Sequence, residues 1–285
     1  MSGLVFLAVL GAAVMHATWN ALIRVGLDRV GTVLRMALVQ CALALPLAFV
    51  FPLPATAAWP WVLASGCLHA GYKLFLCRAY SHGDLSQVYP LARGSAPLIV
   101  AFVGAVWLGE ALTPALAAAV AAIGIGVILM SGLGPTRLGG LPLRDINTTA
   151  VGLALATACF TASYTLVDGV GARLAATASG FVVWMTLVDT VVVAVAAYWA
   201  RGPAVYRGLT STWKGGVVAG VFSYCSYWVA VWAMTQAPIA LVAALRETSV
   251  LFGMLIGAVL LKETVSPLRW LAAAMIIAGV VVLRL

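Results

Sequence analysis

The sequence contains little charge. Asp, Glu, Lys and Arg make up only 8% of its 285 residues, whereas soluble domains contain about 25%. Hydrophobic residues account for 64% of the chain, and the mean hydropathy is +1.10. Apolar runs of about 20 residues, long enough to cross a hydrocarbon core roughly 30 Å thick, recur along the whole length. The composition excludes an ordinary soluble domain and predicts an all-α, polytopic membrane protein.

Motifs typical of enzymes are also missing. The sequence contains no His-Glu-x-x-His zinc motif, no Gly-x-Ser-x-Gly nucleophile elbow and no phosphate-binding loop with its lysine. The five cysteines lie inside apolar runs without a Cys-x-x-Cys pair, so we interpret them as buried hydrophobes. We therefore expect no catalytic residue, no metal and no cofactor. An ATP-driven pump would need a separate ATPase subunit.

The net charge of +8 does not indicate nucleic-acid binding, because the basic residues lie mostly in short connections between apolar runs. The first apolar run lacks a basic segment before it and contains His16, Trp19 and Asn20. We therefore expect a mature membrane span here and not a cleaved signal peptide.

The apolar runs predict ten transmembrane helices joined by short connections. The predicted spans are residues 3–23, 31–51, 59–80, 86–108, 114–132, 148–168, 178–199, 215–235, 239–261 and 267–284. The longest connections are near 133–147 and 200–214, and the first of these is rich in Gly, Pro and Arg.

A duplication organises these spans. In an ungapped alignment, residues 93–129 recur 153 positions later as residues 246–282. Each copy has an apolar helix, a short break with a glutamate, a hydroxyl residue that caps a helix, and proline at the first helical position. Matched pairs include Arg93 with Arg246, Glu110 with Glu263, Thr113 with Ser266, Pro114 with Pro267 and Gly126 with Gly279.

Each half of the chain is predicted to contain five spans. An odd number makes the second half enter the membrane from the opposite side, which predicts two inverted repeats around a central cavity, as in many secondary transporters. We therefore divide the chain into a first five-helix repeat at residues 1–132, a linker at 133–147 and a second repeat at 148–285. A weaker similarity between residues 16–20 and 161–165 supports this division.

The distribution of basic residues predicts the orientation. The connections after the odd-numbered spans contain most of the Lys and Arg residues, whereas those after the even-numbered spans contain only Arg173. Cytoplasmic loops carry the excess of positive charge. We therefore expect the odd-numbered connections in the cytoplasm and both termini outside.

Polar, ionisable and aromatic residues within the spans are the candidates for a substrate site, because a charge at membrane depth is costly unless it is paired or hydrated. The candidates are His16, Trp19, Asn20, His69, Tyr72, Lys73, Tyr89, Arg93, Tyr164, Asp189, Tyr224, Tyr227, Trp228, Arg246 and Glu247. Structural interpretations remain open for each kind: Arg246 with Glu247 as a fastening pair, Asp189 as the neutralising partner of a Lys or Arg, and the aromatic residues as helix packing.

Two of the predicted spans, 114–132 and 267–284, contain almost no polar side chain but several small residues. Such helices suit helix packing or lipid contact, so we expect them at the periphery of the cavity. Glu110 and Glu263 flank predicted helix starts, where the helix dipole favours an anion.

The two copies of Arg-x10-Gly-x5-Glu-x3-Pro, with five spans each, resemble the EamA family of the drug/metabolite transporter superfamily. The residues that carry the resemblance are Val-Tyr-Pro-Leu-Ala-Arg at 88–93 with Gly109-Glu110, and Ala-Ala-Leu-Arg-Glu at 243–247 with Lys262-Glu263. Within the family, the chain resembles YddG-type bacterial exporters of aromatic amino acids. The resemblance implies a ten-helix basket in the bacterial inner membrane with a central cavity. Family members are often described with cytoplasmic termini, which is opposite to the orientation predicted by the loop charges.

We therefore hypothesise a secondary transporter that exports small metabolites, most simply amino acids including aromatic ones, by alternating access. Lys73, Arg93 and Arg246 would receive a carboxylate, and Glu247 and Asp189 an ammonium group. The alternatives are a multidrug or organic-cation carrier, a nucleotide-sugar carrier of the same superfamily, and a channel. The expected partners are small-molecule substrates and membrane lipids, without nucleic acid, and the expected oligomeric state is a monomer.

Overall fold

The computed structural model describes residues 1–24, 29–82, 85–130, 148–207, 213–260 and 265–284, and in these ranges the regular secondary structure is entirely helical. The α-helices are α1 (Gly3–Arg24), α2 (Arg29–Leu47), α3 (Trp59–His82), α4 (Leu85–Trp107), α5 (Pro114–Met130), α6 (Thr148–Leu174), α7 (Ala178–Arg201), α8 (Ala204–Arg207), α9 (Trp213–Met234), α10 (Ile239–Arg246), α11 (Ser249–Leu260) and α12 (Pro267–Arg284). A short 3₁₀ helix, Thr56–Ala58, precedes α3.

Six segments of the described chain are long and apolar enough to cross a membrane. They are Gly3–Asn20, Thr148–Leu174, Ala178–Arg201, Gly215–Met234, Ile239–Ile256 and Pro267–Arg284. Three further apolar helices are shorter: Gly31–Leu47, Ala92–Trp107 and Pro114–Met130. The prediction of an all-helical chain with several membrane-length helices is confirmed, and the count of ten spans stays a prediction. The predicted linker at 133–147 lies outside the described residues.

The helix of the ninth predicted span is interrupted near its middle. The backbone N–H of Glu247 donates to the carbonyl of Ala244 at 3.1 Å, and that of Thr248 donates to Leu245 at 3.2 Å, so the turn tightens to the 3₁₀ pattern. The prediction of a continuous helix over 239–261 is wrong at this point. No Pro or Gly marks the interruption. Non-helical backbone at membrane depth is tolerated only inside the protein or beside a hydrated cavity.

The sixth span is longer than predicted. Its helix continues to Leu174, six residues beyond the predicted end at 168, and Arg173 therefore lies in the helix and not in a connection. The glycines of this segment favour a helix end when judged by propensity alone. Here they allow close packing: a Cβ on Gly171 would lie 2.7 Å from the Cβ of Trp61.

The helices α5 and α12 pack against each other through small residues. A Cβ on Gly126 would lie 2.7 Å from Cγ1 of Ile276, and a Cβ on Gly279 would lie 2.7 Å from Cγ1 of Ile123. Residue numbers therefore increase in opposite directions along the contact, and the two helices are antiparallel. Close backbone approach at glycine is the usual way in which apolar helices associate in a membrane.

The same antiparallel relation joins α4 to α10. Arg93 near the start of α4 pairs with Glu247 just after α10, whereas Glu110, beyond the end of α4, contacts Ile239 at the start of α10. Helices of each half also pack against helices of the other half: α3 lies against α6 and α7, and α9 lies against α1 and α2. The largest buried apolar cluster of the described residues includes residues of α1, α4, α5, α10 and α12, so the α4–α10 contact belongs to the apolar core.

Candidate functional site

A buried ion pair joins α4 to the break between α10 and α11. Nη2 of Arg93 lies 3.0 Å from Oε1 of Glu247, and Nε of Arg93 donates to Oε2 at 3.2 Å. The two side chains are 3% and 6% exposed. Two parallel bonds between a guanidinium and a carboxylate combine charge with a fixed geometry. Glu247 thus forms its ion pair with Arg93, and its neighbour Arg246 interacts with it electrostatically without an ion pair in the described chain.

Beside this pair lies a small cavity. It is lined by residues of α4, α6 and α10 and of the break after α10: Arg93, Ala96, Pro97, Val100, Thr161, Thr165, Ala243, Arg246 and Glu247. The lining therefore combines side chains of both halves of the chain. Its charged groups are two arginines and one glutamate, so the net charge of the wall is positive.

Arg246 differs from Arg93 in its contacts. Its guanidinium lies 4.9 Å from the centroid of the Tyr227 ring. In the part of the chain that the structure describes, no carboxylate forms an ion pair with it. Arg246 is 9% exposed. Glu247 of the same wall interacts with Arg246 electrostatically but forms its ion pair with Arg93. Arg246 is therefore the group in the wall most suited to receive a further anion.

A second polar cluster connects α3, α6 and α9. Nε2 of His69 lies 2.9 Å from Oδ2 of Asp168, and 3.2 Å from the hydroxyl of Tyr227. The Tyr227 hydroxyl donates to the same carboxylate oxygen. Asp168 is fully buried. The ring of Tyr164 stacks on His69 with centroids 4.0 Å apart, and Tyr72 packs edge-on against Tyr164.

Lys73 and Asp189 form a third pair, between α3 and α7. The ammonium group contacts Oδ2 of Asp189, and the two side chains are 19% and 4% exposed. The structure therefore places these residues in contact with each other, as the interpretation of Asp189 as a neutralising partner predicts. Neither side chain is among those that line the cavity beside Arg246.

The other predicted site residues lie in local contacts. His16 packs edge-on against Trp19, and Asn20 donates to the carbonyl of His16 at 2.8 Å, within α1. Tyr224 packs edge-on against Trp228, whose indole N–H donates to Oγ of Ser179 at 3.0 Å. This second group belongs to an apolar cluster that also includes Tyr227, but neither Tyr224 nor Trp228 is among the residues that line the arginine-lined cavity. The side chain of Tyr89 lies outside the described residues.

A fourth cluster lies where α4, α6 and α10 meet one surface of the bundle. Both carboxylate oxygens of Glu110 accept from the backbone N–H of Ile239 at 3.0 Å, and Oε1 accepts from Arg173 at 3.0 Å. Arg173 also donates to the carbonyls of Met234 and Ala237, at 2.9 and 3.0 Å. Glu110 is therefore at a helix N-terminus as predicted, but the helix is α10 of the second half and not its own successor α5.

Sequence reasoning missed Asp168 and Arg173. Asp168 is the last residue of the predicted sixth span, where a charge is easily interpreted as a helix end. A usable signal was present: Asp168 follows Tyr164 by four residues and therefore shares its helix face. Arg173 was counted as a loop charge because the helix was ended too early.

Membrane-length helices, a helix broken at a buried ion pair, and a cavity lined from both halves of the chain define a polytopic membrane protein with the features of a transporter. The chain belongs to the EamA-like transporter family, whose model matches residues 3–132 and 148–285. No curated protein matches the sequence. A crystal structure is similar over 98% of this chain and 94% of its own, with a TM-score of 0.76 and 19% identity, which is a likeness of fold. The family is one of transporters and not of enzymes.

Proposed function

We propose that this protein is a secondary transporter of the bacterial inner membrane that exports small zwitterionic metabolites, most simply amino acids including aromatic ones. The observation that carries the proposal is Arg246, a buried cation in the cavity wall without a carboxylate partner in the described chain. A substrate carboxylate would complete this site with a charge-assisted bond. The Tyr227 ring beneath the guanidinium holds it in place.

The charges of the cavity wall distinguish this proposal from one of its alternatives, the organic-cation carrier. A carrier for organic cations needs a negative wall, and here two arginines face one glutamate. The positive wall therefore favours a substrate that carries a carboxylate over an organic cation.

We further propose alternating access between two inverted repeats, with ten spans and a linker at 133–147. The antiparallel packing of α5 with α12 and of α4 with α10 supports the inversion, because helices at the same position in each repeat cross the membrane in opposite directions. Because one chain supplies both walls of the cavity, a monomer is sufficient for transport.

Arg246→Gln is expected to raise the KM for labelled tryptophan, phenylalanine or alanine by about tenfold to a hundredfold, because a hydrogen bond to a charged group contributes about 1.5–3 kcal/mol. The measurement is counterflow into proteoliposomes preloaded with the unlabelled amino acid. Arg246→Lys keeps the charge but loses the planar fork, and should have an intermediate KM. Arg269→Gln removes the same charge from α12, away from the cavity, and serves as the matched control.

Two results would reject parts of this proposal. If none of the amino acids exchanges above empty liposomes, the substrate class is wrong, and the same vesicles then report on an organic cation and a nucleotide sugar. If amino acids exchange and Arg246→Gln has the KM of the parent protein, the carboxylate site is misplaced.

The orientation predicted from the loop charges is testable with reporters fused to the C-terminus. We expect alkaline phosphatase fused after residue 285 to be active and green fluorescent protein at the same position to be dark, because both termini are predicted outside. If the green fluorescent protein fusion is fluorescent and the phosphatase fusion is inactive, the termini lie in the cytoplasm. Fusions within 133–147 should give the opposite pair and control for expression.

A further inference from the structure

One buried carboxylate of the described chain has a different kind of partner from the others. Three ion pairs contain a Lys or Arg, which keeps its charge at physiological pH: Glu110 with Arg173, Asp189 with Lys73, and Glu247 with Arg93. Asp168 is paired with His69, which is charged only when it is protonated. The net charge of this unit therefore depends on a single proton.

The geometry of the unit supports proton binding at either of two places. Oδ2 of Asp168 contacts both Nε2 of His69 and the hydroxyl of Tyr227. Oδ1 is buried and has no hydrogen-bond partner among the described residues. Buried polar atoms are rarely left unsatisfied. A proton on Oδ1 would neutralise the carboxylate, and a proton on the imidazole would balance it.

Several ionisable groups surround the unit. On α6 and the helices packed against it they include Tyr72 and Lys73 of α3, Arg93 of α4, Tyr164 and Arg173 of α6, Asp189 of α7, Tyr227 of α9, Arg246 of α10 and Glu247 after it, and His16 of α1 interacts electrostatically with Arg93 and Arg246. Lys73 pairs with Asp189, Arg93 with Glu247, and Arg173 with Glu110. The guanidinium of Arg246 lies over the Tyr227 ring at 4.9 Å, so this ring connects the unit to the cavity.

We propose that His69, Asp168 and Tyr227 form a proton-binding site that couples substrate export to proton entry. This inference rests on the proposed function of the cavity. A proton from the outside neutralises the Asp168 carboxylate, and it is released to the cytoplasm after the repeats reorient. Asp168 does not line the cavity, but Thr161 and Thr165 of the same helix do, so its negative charge acts on the ammonium group of a zwitterionic substrate across a short distance. Proton and substrate therefore oppose each other's binding, which is the condition for exchange.

The first test needs no substrate. Infrared spectra of the purified protein titrated from basic to acidic pH should show the C=O stretch of a protonated carboxylic acid that is absent from Asp168→Asn. Asp189→Asn is the matched control, because it neutralises another buried carboxylate of the same bundle, and it should keep that band. The proposal is wrong if the Asp168→Asn spectrum retains every protonated carboxyl band of the parent.

The second test uses transport of labelled tryptophan in proteoliposomes with an acidic interior. For one-for-one exchange we expect accumulation of about tenfold per pH unit, together with alkalinisation of the lumen. Asp168→Asn should lose this gradient-driven accumulation at least about tenfold more strongly than it loses counterflow, since counterflow does not require the proton to leave. Asp189→Asn should lower both activities in parallel.

Two outcomes separate the proposals. If the parent protein catalyses counterflow but neither accumulates tryptophan in a pH gradient nor moves protons, the coupling is wrong and the amino-acid site stands. If the infrared band titrates and is lost in Asp168→Asn, but no amino acid exchanges, the proton site stands and the proposed substrate is wrong.

Discussion

Arg93→Ala is expected to abolish transport and to destabilise the purified protein by about 3–5 kcal/mol, because removal of one partner leaves a buried charge uncompensated. The charge left behind is Glu247, which is 6% exposed and lies at the interruption between α10 and α11. The substitution also removes the ion pair that joins α4 to the interruption between α10 and α11. Thermal unfolding in detergent and counterflow in proteoliposomes measure the two effects separately.

The double variant Arg93→Gln, Glu247→Gln separates the structural part of this effect from the functional part. It removes both charges of the pair and keeps similar volumes, so most of the lost stability should return. Transport should not return, because Arg246 is then the one charged group left in the described cavity wall and no carboxylate remains there for a substrate ammonium group. If the single variant Arg93→Ala keeps the melting temperature and the transport rate of the parent protein, the ion pair neither stabilises the fold nor takes part in transport.

Glu110→Gln is expected to shift the protein towards a state open on the surface where Glu110 and Arg173 lie. The carboxylate holds α10 and Arg173 of the second half through contacts of 3.0 Å. Bonds to charged groups contribute about 1.5–3 kcal/mol each, and about 1.4 kcal/mol changes a population ratio tenfold. Because these contacts cross between the halves, they stabilise the conformation that is closed on this surface.

Accessibility of one cysteine measures this shift. In a background without native cysteines, Ala243→Cys lies in the cavity wall and is 7% exposed. An impermeant thiol reagent applied from the Glu110 side should label it at least about tenfold faster when Glu110 is Gln. Thr113→Val is the matched control in the same connection: the hydroxyl of Thr113 accepts from the backbone N–H of Leu116, in the helix that follows it, at 3.2 Å. Equal labelling in Glu110→Gln and Thr113→Val would rule out a closing role for Glu110.

Most helix positions followed from hydropathy, because in a bilayer each span must satisfy its own backbone and expose apolar side chains. The two exceptions had tertiary causes. The sixth helix continues through Gly169 and Gly171 because neighbouring side chains pack where a Cβ would stand. The helix of the ninth span is interrupted at Glu247, although no Pro or Gly in the sequence marks this position. The interruption lies where Arg93 of α4 forms its ion pair with Glu247.

The sequence predicted which residues belong to the site better than it predicted which of their side chains are in contact. The rule that ionisable residues in a span are functional candidates selected Arg93, Arg246, Glu247, His69 and Asp189, but it carried no information about which side chains would meet. The nearest charge in the sequence to Glu247 is Arg246, yet the partner is Arg93, 154 residues away. Neighbours on one helix point in different directions, and the packing of α4 against α10 selected the contact.

The residue order by itself determined the membrane character, the duplication and the set of polar residues that a bilayer would not tolerate at random. These properties depend on composition and local periodicity, which every segment carries with it. Only the tertiary structure decided which charges cancel and which do not. Ion pairs between distant helices arise from their relative positions, and those positions left Arg246 without a carboxylate partner in the described chain and gave Asp168 a histidine.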